Sequence, residues 1–323
     1  IGLRRGGKRR GLGLRLEHQT IMSLAENRIH HDMDSARTIY SFYLDNLLTA
    51  VTLTAESELL RLPRSAQPNA ELDFHLARAA EAGRFDFLSF AAADGRRIAL
   101  SDPAVPAGGF RDRDSFFSRV LEGKRLAATR LLPLDSLRRE STRFEESAAG
   151  DILVLVAAAP VRGPEGRIIG VLEGGRRING DNEIVDRVKA AIFDPEKRGG
   201  RDTGVVTIHQ GDIRASTTLK NPQGSRLNGT RADPRFRQEA LERRKAWAGR
   251  AVILGERYIS ASEPLADYDG TVVGMLSIGL LERPFLALRN RVITQNAAWA
   301  AATAAVLLIL LSLMATRLVR PLG

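Results

Sequence analysis

The residues best able to do chemistry are the five histidines, and their spacing does not support catalysis or metal binding. His18, His30, His31, His75 and His209 nowhere form the paired pattern of a zinc site. His30, His31, Asp32 and Asp34 lie together, but neighbouring side chains on a helix point to different sides, which favours a solvated helix face. His209 near Asp212 has the makings of an acid–base pair, yet its place at a hairpin turn favours a hairpin hydrogen bond. The absence of cysteine excludes disulfides and thiolate metal sites. No Gly-x-Ser-x-Gly elbow is present. Gly2, Gly7 and Lys8 mimic a phosphate loop, but Arg9 stands where a magnesium-binding hydroxyl belongs and no apolar strand precedes it. No catalytic residue, metal or cofactor is expected.

The formal charge of +10 invites a nucleic-acid reading, but its distribution argues against one. Arg4, Arg5, Lys8, Arg9, Arg10 and Arg15 carry +6 of it at the amino end, so the rest of the chain holds only +4. Residues 1–15 read as a basic tail suited to anionic lipid or a targeting region, not to reading DNA. No apolar segment of signal-sequence length follows the tail, so the chain is expected to lack its true start. From Ala297 to Thr316 the chain runs twenty residues without a charge. At the rise of an α-helix that spans about 30 Å, the thickness of a bilayer's hydrocarbon core. Trp299 suits the outer interface, and Arg317 with Arg320 marks the far end as cytoplasmic, against a weaker opposing signal from Arg289 and Arg291.

Ahead of that span the sequence divides into regular elements. Residues 16–62 keep apolar residues at helical spacing, among them Ile29, Met33, Ala36, Tyr40, Leu44 and Leu47, and predict one long helix, or two in tandem, ending before Pro63. Such a helix suits a stalk or a dimer seam. Short apolar runs then alternate with turns. Phe85–Phe90 and Ile98–Leu100 flank a tight turn at Asp94-Gly95, a helix is expected around Ser115–Glu122, and strands near Ala127–Leu132 and Ile152–Ala159. Another turn falls at Pro164-Glu165-Gly166, and a helix at Asn182–Ile192. The pattern then restarts. Pro160-Val-Arg-Gly-Pro-Glu-Gly166-Arg-Ile-Ile-Gly170-Val-Leu172 aligns without gaps on Pro264-Leu-Ala-Asp-Tyr-Asp-Gly270-Thr-Val-Val-Gly274-Met-Leu276, a shift of 104 residues. The fold class is therefore α+β: a long helix, one mixed sheet module present twice, and a carboxy-terminal membrane helix.

Three stretches resemble the double Cache domains of bacterial receptors, in the Cache 3/Cache 2 fusion variety. They are Gly170–Asn179 with the residues to Arg187, Thr207–Arg214, and the run from Gly229 through Tyr258–Pro264 to Gly274–Glu282. Leu318-Val-Arg-Pro321-Leu322 is similar to the opening of a HAMP linker. The resemblance implies two PAS-like modules with antiparallel sheets, a membrane-distal one at 63–180 and a membrane-proximal one at 181–290. The span follows at 297–316 and the HAMP start at 317–323. It also implies an extracytoplasmic sensor in a bacterial inner membrane, homodimeric and in contact with lipid, with its carboxy end in the cytoplasm. The output domain would be a histidine kinase first, a chemoreceptor signalling domain next.

A pocket in such a sheet needs aromatic walls and a few aimed polar groups. In the distal module Arg113, Phe116 and Phe117 stand where amino-acid-binding relatives carry an Arg, a Trp and a Tyr, with Phe90 as a further wall. Glu173-Gly174-Gly175 replaces the Asp that would hold an ammonium group, so a small carboxylate on Arg113 or Arg130 fits better than an amino acid. The comparable proximal set is Arg231, Trp247, Arg250 and Tyr258. The competing reading is a membrane-tethered hydrolase of small anions.

Overall fold

The computed structural model describes residues 6–61, 70–111, 113–144, 150–193 and 203–319; Gly2, Arg4, Arg5, Pro63 and the Arg320–Leu322 end of the HAMP-like stretch lie outside them. Helix α1 spans Gly6–Ala55, starting within the stretch read as a tail, and α2 follows at Glu58–Arg61. Along α1 the side chains of Ile29, Met33, Ala36, Tyr40, Leu47, Val51 and Ala55 are buried, a stripe of helical period. That stripe shares one core with Leu155 and Leu172 of a first sheet and Ile208 and Ile278 of a second. The face that suits a stalk or a dimer seam is thus covered by the chain's own two sheets.

The first sheet has five antiparallel strands: β1 Phe87–Ala92, β2 Arg97–Leu100, β3 Leu126–Pro133, β4 Asp151–Arg162 and β5 Ile168–Arg177, in the order β2-β1-β5-β4-β3. Helix α3 (Ala70–Gly83) precedes it; α4 (Ser115–Leu121) and α5 (Leu134–Arg138) cover its outer face. After α6 (Glu183–Ile192) the plan returns in β6 Gly204–Gln210, β7 Ile213–Thr217, β8 Trp247–Ile253, β9 Glu256–Ala266 and β10 Val272–Leu281. Their order is β7-β6-β10-β9-β8, the same as in the first sheet. A short helix, α7 at Pro234–Phe236, runs on into a wider-wound turn to Glu242 on the second sheet's outer side.

The repeated glycines have a packing cause. A Cβ on Gly170 would lie 2.2 Å from the carbonyl oxygen of Ala91, and one on Gly274 would lie 2.0 Å from that of His209. Ala91 and His209 occupy the same register position in the two sheets, opposite Val171 and Met275. Both closing strands must therefore pass their neighbour without a side chain at that point.

Polar bonds join the modules. Asn179 receives the Leu153 amide at 2.8 Å and donates to Gln210 Oε1 at 2.7 Å, while the Gly180 amide reaches Ala215 O at 2.9 Å. From β10 the chain enters α8, Arg283–Val319. Its stretch Thr294–Met314 is apolar over 21 residues and none of it is buried against the rest of the chain, which makes it long enough to cross a bilayer.

Candidate functional site

Three arginines and three carboxyls converge on the first sheet's outer face, opposite to the one that α1 covers. Arg97 comes from β2, Arg130 from β3 and Glu173 from β5, while Arg111 and Asp114 lie just before α4 and Glu140 just after α5. With Phe87, Leu132 and Leu137 supplying apolar wall, they line a cavity of about 250 Å³. Strand alternation places them: Thr129 points to α1, where its hydroxyl meets the Tyr40 hydroxyl at 2.6 Å, so Arg130 points outward.

The charges are paired inside protein. Arg97 Nε donates to Glu140 Oε1 at 2.8 Å, Arg111 Nη1 donates to Glu173, and Arg130 Nη2 donates to Asp114 Oδ2 at 2.9 Å. Arg130 lies 4.6 Å over the Phe116 ring and Arg111 5.1 Å over that of Phe117. Asp114 has two tasks, since it also caps α4 by accepting the Phe117 amide at 2.8 Å. Burial pushes the Asp114 carboxyl up, but that amide and the Arg130 charge outweigh it and hold it below its ordinary value. Glu140 goes the other way: burial raises it despite Arg97 and Arg111. Burial also works against the charge on Arg111 and Arg130, and Glu173 is the leading influence that overcomes it and raises both. Arg111 Nε, Arg130 Nη1 and Glu140 Oε2 are buried without a hydrogen-bond partner. Desolvating so many charges is a poor way to stabilise a fold, and here they gather around one cavity.

The expected site residues separate accordingly. Arg130 lines the cavity. Phe116 and Phe117 are fully buried behind the arginines and serve as their stacking surfaces. Arg113 is exposed, its stem over the turn at Gly95, and Arg111 takes the inward place instead. Phe90 is buried on the opposite face, in the core beneath α1, because it is three residues from Phe87 on a strand of period two. Arg97, Arg111, Asp114 and Glu140 were not singled out from sequence. Only Asp114 leaves a local signal, as a capping residue directly before an apolar helical run.

In the second module the expected four do not meet in a pocket. Arg231 Nη1 donates to Asp212 Oδ2 at 2.6 Å at the surface, and Arg250 Nε lies 3.2 Å from Glu282. Trp247 packs edge-on against Phe236 at 5.3 Å, and Tyr258 joins the same apolar cluster. His209 is not on a turn but inside β6, 1% exposed, with Nδ1 3.5 Å from Ser277 Oγ. Burial and the Arg214 charge push its pKa down to about 3, too low for a general base near neutral pH. The cavity here is about 10 Å³, too small for an organic ligand.

One residue ties the distal cavity to the proximal module. Arg130 Nε reaches Asp267 Oδ2 at 3.4 Å, and its guanidinium lies 5.4 Å over the Tyr268 ring. Both partners sit at the tip between β9 and β10. Tyr268 stacks edge-on to Phe116 at 5.0 Å and its hydroxyl bonds the Ser115 hydroxyl.

Comparison with known proteins bears on the same segments. Residues 176–292 match the family model described as single cache domain 3. A search of curated proteins returns no match. Among solved structures, the periplasmic domain of Vibrio cholerae LuxQ is similar at a TM-score of 0.51 and 11% identity, over 78% of this chain and 98% of that one. The sensory domain of the Campylobacter jejuni chemoreceptor Tlp3 gives 0.46 and 9%, over 84% and 98%. The ligand-binding domain of the Pseudomonas aeruginosa amino acid chemoreceptor PctC, in complex with GABA, gives 0.43 and 15%, over 79% and 99%. Of the three, only the LuxQ likeness is strong enough to show a shared fold, and it shows no more than that.

Proposed function

We propose that this chain, whose residues 176–292 are a Cache module and whose two sheets make the tandem Cache fold of a sensor, captures a small carboxylate outside the cell and passes the signal through α8. The observation that carries this reading is the position of Arg130. It lines the distal cavity and also holds Asp267 and Tyr268 at the tip of the hairpin whose second strand leads directly into α8.

A ligand carboxylate on Arg111 and Arg130 competes with Glu173 for the first guanidinium and with Asp114 and Asp267 for the second. Glu140, whose carboxyl burial raises, suits a hydroxyl or other donor on the same ligand. When Arg130 shifts towards the ligand, the Asp267–Tyr268 tip is released or drawn in, and β10 transmits that displacement to the membrane helix. The sensing part then lies outside a bacterial inner membrane, in contact with lipid at Trp299. The carboxy end lies in the cytoplasm, opening a HAMP linker towards an output domain, a histidine kinase first and a chemoreceptor next. Two copies act together.

No specific observation favours the hydrolase: His209 is enclosed and its ring is held neutral. The test is a thermal-shift screen of organic acids, amino acids and amines on the full chain in non-ionic detergent. A ligand that binds only the folded protein at a hundred times its Kd stabilises by about 2.7 kcal/mol. A shift from a small carboxylate that disappears in Arg130→Gln supports the reading. Shifts confined to amines, or no shift from any compound, would sink it.

A further inference from the structure

Arg97 and Arg214 occupy the same place in the two modules. Arg97 faces Ala91 across β1 and β2, Arg214 faces His209 across β6 and β7, and Ala91 and His209 are themselves equivalent. Both arginines are more than nine-tenths buried, at 5% and 8% exposed. Their surroundings differ in charge. Arg97 has the carboxylate of Glu140 at 2.8 Å. Arg214 Nη1 donates to Thr230 Oγ1 at 2.8 Å and to the Arg231 carbonyl, both neutral. Among the described residues Arg214 forms no ion pair. Asp233 acts on it only through its field, and that side chain caps α7 by accepting the Arg235 amide. The counterpart of Glu173 is also absent, because Ser277 stands in its register position.

What replaces the carboxyls is a wall of hydroxyls. Thr207 and Thr217 meet at 2.6 Å, Ser277 lies beside His209, and the buried Ser260 Oγ, Ser262 Oγ and His209 Nε2 have no partner. Thr207, Ser277 and Arg214 line the second cavity, whose volume of about 10 Å³ is that of a single water-sized particle. A water would fill the space but leave the buried guanidinium with no anionic group in contact.

We propose that the proximal module holds a second site, specific for a monatomic anion of halide size, in which Arg214 supplies the charge and Thr207 and Ser277 supply hydroxyl donors. The anion completes in this module what Glu140 and Glu173 complete in the other. It fastens β7 to β10, next to the membrane helix, and does not depend on what occupies the distal cavity.

The experiment is chloride NMR on the full chain in non-ionic detergent, with sodium sulfate keeping the ionic strength constant. Chloride exchanging with a protein site is broadened beyond the buffer. The broadening should be displaced by bromide, lost in Arg214→Gln and unchanged in Arg113→Ala. Absence of excess broadening, or excess that persists in Arg214→Gln, overturns the site. Should Arg214→Gln fail to fold, Ser277→Asp serves in its place, because it supplies an internal carboxylate where the distal module has Glu173. It should fold, show no excess broadening, and lose the rise in melting temperature that chloride gives the wild type over sulfate. A Ser277→Asp protein that still answers to chloride overturns the proposal equally.

Discussion

Arg130 Nε lies 3.4 Å from Asp267 Oδ2, and the two residues belong to different modules. The contact is worth more than its length suggests. The side chains are only 10% and 13% exposed, so solvent screens the pair weakly. Removing one partner leaves a charge enclosed by protein, which costs more than the net worth of the pair. Replacing Asp267 by Asn should therefore lower stability and free Arg130 for a ligand. The expected outcome is tighter carboxylate binding in a thermal-shift titration, with a weaker change at α8 read by a label there. Binding that weakens along with the coupling would contradict the competition between Asp267 and ligand.

Asp102 fixes the loop that carries Arg111 to the segment that carries Glu140. Its Oδ2 accepts from the Thr142 amide at 2.8 Å, the Thr142 hydroxyl at 2.6 Å and the Ser141 hydroxyl at 3.1 Å. Burial pushes this carboxyl up, and the Thr142, Ala104 and Ser141 bonds outweigh it and hold it below the ordinary 3.8. A depressed folded pKa gives stability that is present above the unfolded value and is lost as pH falls through the folded one. Asp102→Asn should thus cost about 1–3 kcal/mol at neutral pH. In urea melts the gap between the two proteins should narrow as pH falls through the ordinary aspartate range and close below it. A gap that stays constant from neutral pH to below that range would refute the assignment.

The glycines of the repeat offer a purely steric prediction. Gly170→Ala and Gly274→Ala each drive a Cβ into a backbone carbonyl that cannot rotate away. Each should cost ~3 kcal/mol or more, at the upper end of overpacking effects. Gly166→Ala meets no neighbouring atom and carries only the strain of a φ of +78°, so it should cost less. Chemical denaturation of the three variants would rank them.

Tyr40 ties α1 to the distal sheet through the Thr129 hydroxyl, with its ring 3% exposed. Burial, only partly offset by that bond, raises its phenol well above the usual range. Tyr40→Phe should cost about 1 kcal/mol, the net worth of one buried hydrogen bond. Thr129→Val together with Tyr40→Phe should cost less than the sum of the two single changes. Strict additivity would deny the contact.

Because the chain has no cysteine, single introduced thiols report its sidedness cleanly. Asp269→Cys, at the exposed tip between β9 and β10, should react with an impermeant maleimide in intact cells. Gly323→Cys should react only after the inner membrane is opened. The reverse pattern would invert the proposed orientation.

The sequence carried the architecture because its signals there are local and repeated. The 104-residue shift from Pro160 to Pro264 reappears as two sheets of identical strand order. The apolar period of α1 reappears as its buried stripe, although what covers the stripe was not legible, because period tells which side is buried and not against what. The cavity was harder. Arg113 and Arg111 lie two apart in a loop with no period, and only the pairing with Glu173, distant in sequence, turns Arg111 inward. Glu140 sits in no motif and gains its role from Arg97 across the sheet. Phe90 is not on the pocket, because strand alternation assigns Phe87 and Phe90 to opposite faces. His209 was read as a turn residue because the turn at Gly211 begins just beyond the end of its strand.

The central claim is that a small carboxylate binds at Arg130 in the distal cavity. Isothermal titration of the best carboxylate from the screen, on the full chain and two variants, tests it most directly. Arg130→Gln should weaken binding by roughly tenfold or more, about 1.4 kcal/mol per factor of ten, while Arg113→Ala leaves it unchanged. Binding that survives Arg130→Gln at wild-type strength would contradict the account.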